Sequence, residues 1–585
     1  MLTTHRLSED AFTALANGGG DRVMVRHLRE AQHSKQVMLL HAIAEAVSAA
    51  DPASAAFSAG YKLLATVQAT DPDAVAWLLG LPHVGGWAHD CLAGLDQGLP
   101  PDLGYLASAA AAAAIRAGVR FEVDVPVRNG RVLLPGLGYL HGVSEDSWVR
   151  LSSDSKRLTV GALINVPCAD LAPDDGSGTL VPHWQGTVAV RATAEGQTWE
   201  VLVETADRHL DRYMLPMAAL APEEVALWRH CLRRAWEVLV RHHGWAAGPV
   251  AEGVSVIVPM TRRSDTDLDS ATTPAAFGAI ATSLPPDPVL MAETLVHEFQ
   301  HLKLCGVMDL VPLIEPCEER VYAPWRPDPR PAGGLLQGVY AHLGVARFWD
   351  GQRRVESVPD DLFRAQVTYE RWRPTIELCT STLLRTGCLT SAGRRFVEIL
   401  RDQGRSLESG TAEAIQIAEE AALDHWLTWQ LTHTATDPVR VAGLAAAYQH
   451  GEPLGDGLVP ESRVEEETRK VGSTVRSRLL NARYIEPRRY AEQVITGMPG
   501  VSQADVLLLD GRADAAAQAY CDEISAAVDP LPDAWIGLAL AVNRQPPTSL
   551  RRAFATRLPL MFDMYECLRT QGTNSDPLGL AAWFA

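Results

Sequence analysis

Apolar residues recur at three- and four-residue intervals from about residue 25 to 120. Val25, Leu28, Val37, Leu40, Ile43 and Val47, then Leu63, Leu64, Val67, Val75, Leu78 and Leu79 after a Pro-containing break, mark the buried faces of several helices. The alanine-rich tract 107–114, interrupted only by Ser108, is a strong helix former whose small side chains suit close packing. The period then shortens. Stretches 121–134 and 158–166 alternate or run β-branched, and Asn129-Gly130 predicts a tight turn joining a hairpin. Two further strand-like runs, 188–192 and 198–203, flank Glu195-Gly196.

From Pro222-Glu223-Glu224 an amphipathic helix extends through Val240, followed by short strands at 254–258 and 276–282 and a helix over 289–304. A Pro-rich, charged stretch, 315–334, leads into a helix over 335–348, and beyond 360 the pattern is helical apart from a polar linker near 451–470. The pattern predicts an α+β protein, predominantly helical, with a β-rich middle layer. Four regions follow: helical 1–120, β-rich 121–225, a core 226–360, and helical 361–585. Within the last, 504–541 carries small and aromatic residues at the spacings of a tetratricopeptide-like helix pair.

Composition narrows the partners. In 585 residues, 52 Lys+Arg stand against 71 Asp+Glu, a net charge of −19 and the wrong sign for gripping nucleic acid or anionic lipid. No run of eighteen apolar residues occurs and the first ten residues lack a signal-peptide core, so no membrane span and a cytoplasmic location are expected. Nine irregularly spaced cysteines include no CxxC pair, which predicts reduced thiols and neither a zinc knuckle nor an iron-sulfur cluster. Gly136, Gly138 and Gly142 miss the dinucleotide-binding spacing, and no clear helix follows them.

The specific chemical signal is His297-Glu298-Phe299-Gln300-His301. Residues four apart on a helix lie about 40° apart around the axis and roughly 6 Å along it, so both imidazoles can meet one ion. Glu298 lies beside them, where hydrolytic versions of the motif use it to orient or deprotonate a metal-bound water. Leu295, Phe299 and Leu302 cluster on the opposite face, as a packed ligand helix requires. The strand-like 276–282 precedes this helix much as an edge strand precedes the zinc helix of metallopeptidases, where it pairs with extended peptide.

A working metal centre needs a third protein ligand and an open position. His342 on the next strong helix is the favoured candidate, and Glu315, Glu318 and Glu319 are the carboxylate alternatives, with Glu319 and then Glu318 in the gluzincin-like place. The proline-stiffened loop between carries Arg326 and Arg330, whose planar guanidinium groups match carboxylates. They suit an acidic co-substrate, or else tie the loop to Asp328.

These segments, HEFQHLKL from His297, Asp309-Leu310-Val311-Pro312-Leu313, YAPWRPDPRP from Tyr322, GGLLQGVY from Gly333 and GVARFW from Gly344, resemble the HExxH-domain family of peptide-modifying proteins of ribosomal-peptide natural product pathways. The opening His5-Arg6-Leu7-Ser8, the Gly18-Gly19-Gly20 turn and the tetratricopeptide-like segment extend the likeness over most of the chain. The resemblance implies a metallopeptidase-like core working as an Fe(II)- and 2-oxoglutarate-dependent peptide β-hydroxylase. It implies His297 and His301 as iron ligands with His342 or a nearby acid, and Arg326, Arg330 and Tyr340 around the 2-oxoglutarate. The partner it implies is a ribosomally made precursor peptide. This chain lacks a radical SAM half, so any cross-linking would fall to a separate radical SAM maturase. Zinc with Glu298 as general base, trimming a leader peptide, is the competing enzyme reading, and a non-catalytic peptide-binding scaffold is the third.

Overall fold

The computed structural model describes residues 4–47, 54–143, 148–161, 164–176, 181–211, 216–262, 268–454, 463–471, 475–485, 490, 500–545 and 548–585. Part of the 451–470 linker, 455–462, and residues 162 and 163 of the 158–166 run lie outside these. The protein is mixed α+β and mostly helical, and none of the described helices is long and apolar enough to cross a membrane. Two compact units divide the chain at 312/313, inside the 226–360 stretch.

The first unit begins with helices. Ser54–Thr70 lies close against the alanine-rich Tyr105–Arg116, because a Cβ on Gly60 would come within 2.7 Å of the Ala107 nitrogen. The small residues of both helices therefore set their spacing. Tyr105–Arg116 also packs on strands Phe121–Pro126 and Arg131–Leu134.

The Asn129-Gly130 turn forms as predicted: Arg128 and Arg131 exchange backbone hydrogen bonds at 2.9 Å, and both turn residues have positive φ. The flanking strands do not continue as one hairpin. Phe121–Pro126 pairs with Trp148–Ser153 in a four-stranded antiparallel sheet, whereas Arg131–Leu134 pairs with Gly138–His141 in a three-stranded one. The glycines at 136 and 138 serve this second hairpin, where a Cβ on Gly138 would meet the Gln185 carbonyl at 2.2 Å. Around Glu195-Gly196 the predicted pair is a continuous antiparallel ladder, Val188–Ala194 with Gln197–Val203.

That ladder begins the sheet that carries the site. Its strand order is Ser270–Ala271, Ala279–Thr282, Val256–Pro259, Gln197–Val203, Val188–Ala194, with the middle strands parallel. The expected edge strand at 276–282 is thus an inner strand. Ala281 and Thr282 pair with Ala271 and Ser270 on one side and with Val258 and Pro259 on the other, so their backbone is not open to a peptide. Pro222–His242 packs on Val188–Ala194 and on the HExxH helix, Pro288–Leu310.

The second unit is nearly all helical. Ala332–Val355 packs along Pro359–Arg385, which also contacts Ser391–Arg405 and Ala412–His433. Helices Gln503–Leu509, Ala513–Ala526 and Pro532–Asn543 pack in succession, with Gly537 so close to Tyr520 that a Cβ would lie 2.2 Å from its ring. Arg476 is fully buried among Asp424, Asp505 and Asp533, at 3.2, 3.3 and 2.7 Å. One expectation about the cysteines needs correction. Cys317 and Cys388 are joined as a disulfide, because the backbone bond from Glu315 N to Cys388 O brings the two segments side by side; the other seven are free thiols.

Candidate metal centre

Local sequence starts the HExxH helix. The Asp287 side chain accepts from the Val289 and Leu290 amides, and Pro288 occupies the first turn, where no intrahelical N–H is required. Leu295, Phe299 and Leu302 are buried, as the periodicity predicts, and the Phe299 ring takes the space a side chain at Gly253 would fill. The helix is gripped from the N-terminus as well. Buried Lys303 donates to the carbonyls of Gly18 and Gly19 at 3.0 and 2.5 Å, and Gln300 donates to Gly18 at 3.2 Å. The glycine turn therefore sets the position of the ligand helix.

His297 and His301 remain partly exposed, with their Nε2 atoms 3.3 Å apart and their rings at 72°. Two nitrogens bound at about 2.0–2.1 Å to one tetrahedral ion would stand roughly 3.3–3.4 Å apart, so the pair fits a shared metal without rearrangement. Glu298 is 2% exposed, and its Oε1 lies 3.9 Å from His297 Nε2 while accepting the Ser270 hydroxyl at 2.6 Å. Burial pushes its carboxyl above the usual range, against the opposing effects of His301, Ser270 and Thr272. The short edge strand thus has a role that periodicity did not suggest: it delivers the hydroxyl that orients Glu298.

His342 belongs to the second unit. It is buried, its ring stacks on Trp325 at 4.4 Å and 18°, and it lies 4.4 Å from Trp372. Its Nδ1 faces the Gly338 carbonyl at 2.8 Å and so carries the proton, which leaves the lone pair on Nε2. Ligating histidines commonly have this arrangement.

Arg326 and Arg330 converge on one partner. Each donates to Asp328 at 3.0 Å, and although burial alone would raise it, the bonds to Arg330 and Arg326 hold the Asp328 carboxyl below its ordinary range. Tyr340 is fully buried beside Phe396, with its phenol pushed well up by burial. Glu315, Glu318 and Glu319 are exposed. Glu319 lies with Cys317 and Cys388 in the one group of three or more metal-capable side chains found among the described residues, but joined sulfurs offer no thiolate to an ion.

One cluster in the first unit escaped sequence reading. Buried His83 meets buried Glu204 at 3.1 Å, Tyr105 donates to Asp207 at 2.5 Å, and His209 lies between Asp90 and Asp102 at 2.7 and 3.5 Å. Burial works against the charge on His83, but the bond to Glu204 and the neighbouring acids outweigh it and raise its pKa; Glu204 is correspondingly lowered. Its bonded pairs are up to 121 residues apart, and no local spacing announces them.

No protein-family model matches the chain, and no curated protein matches it.

Proposed function

We propose that the protein is a metal-dependent enzyme that modifies a ribosomally made precursor peptide, by Fe(II)- and 2-oxoglutarate-dependent β-hydroxylation of a side chain. The observation that carries the metal is the 3.3 Å separation of His297 and His301 Nε2 on a helix fixed by buried contacts. The family resemblance of the motif segments supports iron, 2-oxoglutarate and a peptide substrate. When bound, the ion supplies oxygen activation. His297 and His301 would hold it, and the resemblance implies His342, or else Glu319 or Glu318, as the third ligand. Glu298, fixed by Ser270, orients groups beside the ion. Arg326 and Arg330, which hold Asp328 here, would receive the 2-oxoglutarate carboxylate, with Tyr340 as the further residue the resemblance implies. The helical second unit, with the tetratricopeptide-like 504–541, holds the peptide in the cytoplasm, where a separate radical SAM maturase would act on it.

Glu298 beside the histidine pair also favours a second reading, a zinc peptidase with Glu298 as general base. The pairing of Ala281 and Thr282 on both sides argues against the edge-strand peptide binding such enzymes use. Mass spectrometry separates the two. Iron-loaded protein with 2-oxoglutarate adds one oxygen atom to a cognate precursor peptide and forms succinate. Cleavage by zinc-loaded protein, with no mass gain under iron, overturns the hydroxylase.

A further inference from the structure

The second unit contains a cavity of about 440 Å³ lined by helices Pro359–Arg385, Ala412–His433 and Val475–Ile485, a size that suits a small ligand or the end of a chain. Two buried N–H donors on its wall lack an acceptor among the described residues, Arg371 Nη1 and Trp429 Nε1. Arg371 is 6% exposed and Trp429 4%. The remaining contacts of Arg371 are with neutral groups: Nη2 reaches the Pro324 carbonyl at 3.4 Å, the guanidinium hydrogen-bonds the Tyr484 phenol, and it lies 5.0 Å over the Trp372 ring. A buried guanidinium without a counter-charge is costly, and among the described residues no carboxylate forms an ion pair with Arg371 at this cavity wall.

The other charges of the cavity are already committed. Asp424 accepts from Arg476 and from Ser477 at 3.2 and 2.5 Å, and Asp328 is held by Arg326 and Arg330. His425 bonds the Tyr322 hydroxyl at 2.8 Å, and burial together with the Arg371 charge pushes its pKa down to about 4, so it is neutral near pH 7. Glu466 and Glu467 are exposed and also line the cavity, where they repel a second negative group.

We propose that this cavity binds a single carboxylate, received by Arg371 and by the Trp429 indole N–H, on a ligand whose other end is neutral or cationic and faces Glu466 and Glu467. The carboxylate is that of a free small acid or the C-terminus of a peptide. The proposal stands apart from the metal, and metal-free full-length protein tests it.

Calorimetric titration uses N-acetyl-arginine and a short peptide ending in arginine, each against its C-terminal amide. At least one acid is expected to bind about tenfold or more tightly than its amide, with Arg371→Gln abolishing the preference. Trp429→Phe, which keeps the ring and removes the donor, weakens the acid about three- to tenfold, the worth of one hydrogen bond. Binding of N-acetyl-arginine as tight as the peptide assigns the site to small acids; binding of the peptide alone assigns it to a chain end. Equal binding of acids and amides, or unchanged preference in folded Trp429→Phe, overturns the proposal.

Discussion

The Nε2 atoms of His297 and His301 face each other at 3.3 Å, one helical turn apart, with neither ring fully buried. Two imidazole nitrogens at that distance suit one ion between them, and the helix that carries them is held by Asp287 at its start and by Lys303 on the Gly18–Gly19 carbonyls. Either His297→Ala or His301→Ala should lower bound metal from near one equivalent to near none while leaving the circular dichroism spectrum unchanged. Metal analysis of each purified variant checks this, and full retention of metal by both variants would remove the centre from consideration.

Ser270 and Glu298 form the next test. Ser270→Ala leaves a buried carboxyl with one donor fewer, a loss of about 1–3 kcal/mol in folding stability or in the fixed geometry of Glu298. The expected outcome is unchanged metal content with reduced turnover and a lower urea midpoint. Glu298→Gln should likewise keep the metal.

The His83–Glu204 pair makes stability depend on pH. A histidine whose native pKa is raised contributes fully below its ordinary value of 6.5, and that contribution is lost as pH rises through the native value. Glu204, lowered in the native state, contributes above its ordinary 4.5 and loses that contribution as pH falls through its lowered value. Melting temperature should therefore decline from about pH 6 towards pH 9, and the double variant His83→Gln/Glu204→Gln should show a shallower decline. Parallel curves for the two proteins would contradict this account of the pair.

Arg476 ties Asp424, Asp505 and Asp533 together from zero exposure. Arg476→Met leaves these carboxylates without their shared cation, and a loss of about 3–5 kcal/mol in the stability of the second unit is expected by chemical denaturation. Arg476→Lys, which keeps the charge but not the planar fork, should recover only part of it.

Much of this was legible in the sequence where the determinant was local. The 3.6-residue period marked the helices, the Asn129-Gly130 turn formed where Asn and Gly tolerate positive φ, the Glu195-Gly196 turn formed with both residues at positive φ, and His297 and His301 were close because four residues make about one turn. What the sequence did not reveal was set by distant partners. Phe121–Pro126 prefers Trp148–Ser153 to its own hairpin neighbour, and the two-residue strand at Ser270 covers Ala281 and Thr282. The Cys317–Cys388 pairing spans 71 residues, His83 and Glu204 lie 121 apart, and Arg371 and Trp429 line one cavity that no periodicity describes. Arg326 and Arg330 were visible as a pair, and the alternative in which Asp328 holds them is the one the structure displays.

The histidine pair is proposed to serve oxygen-dependent peptide modification. Its most direct test incubates iron-loaded protein with 2-oxoglutarate, a cognate precursor peptide and isotopically labelled dioxygen, then reads peptide mass and succinate together. The account predicts one labelled oxygen on the peptide, matched succinate, and neither product from His301→Ala. A shortened peptide without label, produced by zinc-loaded protein and lost in Glu298→Gln, would contradict it.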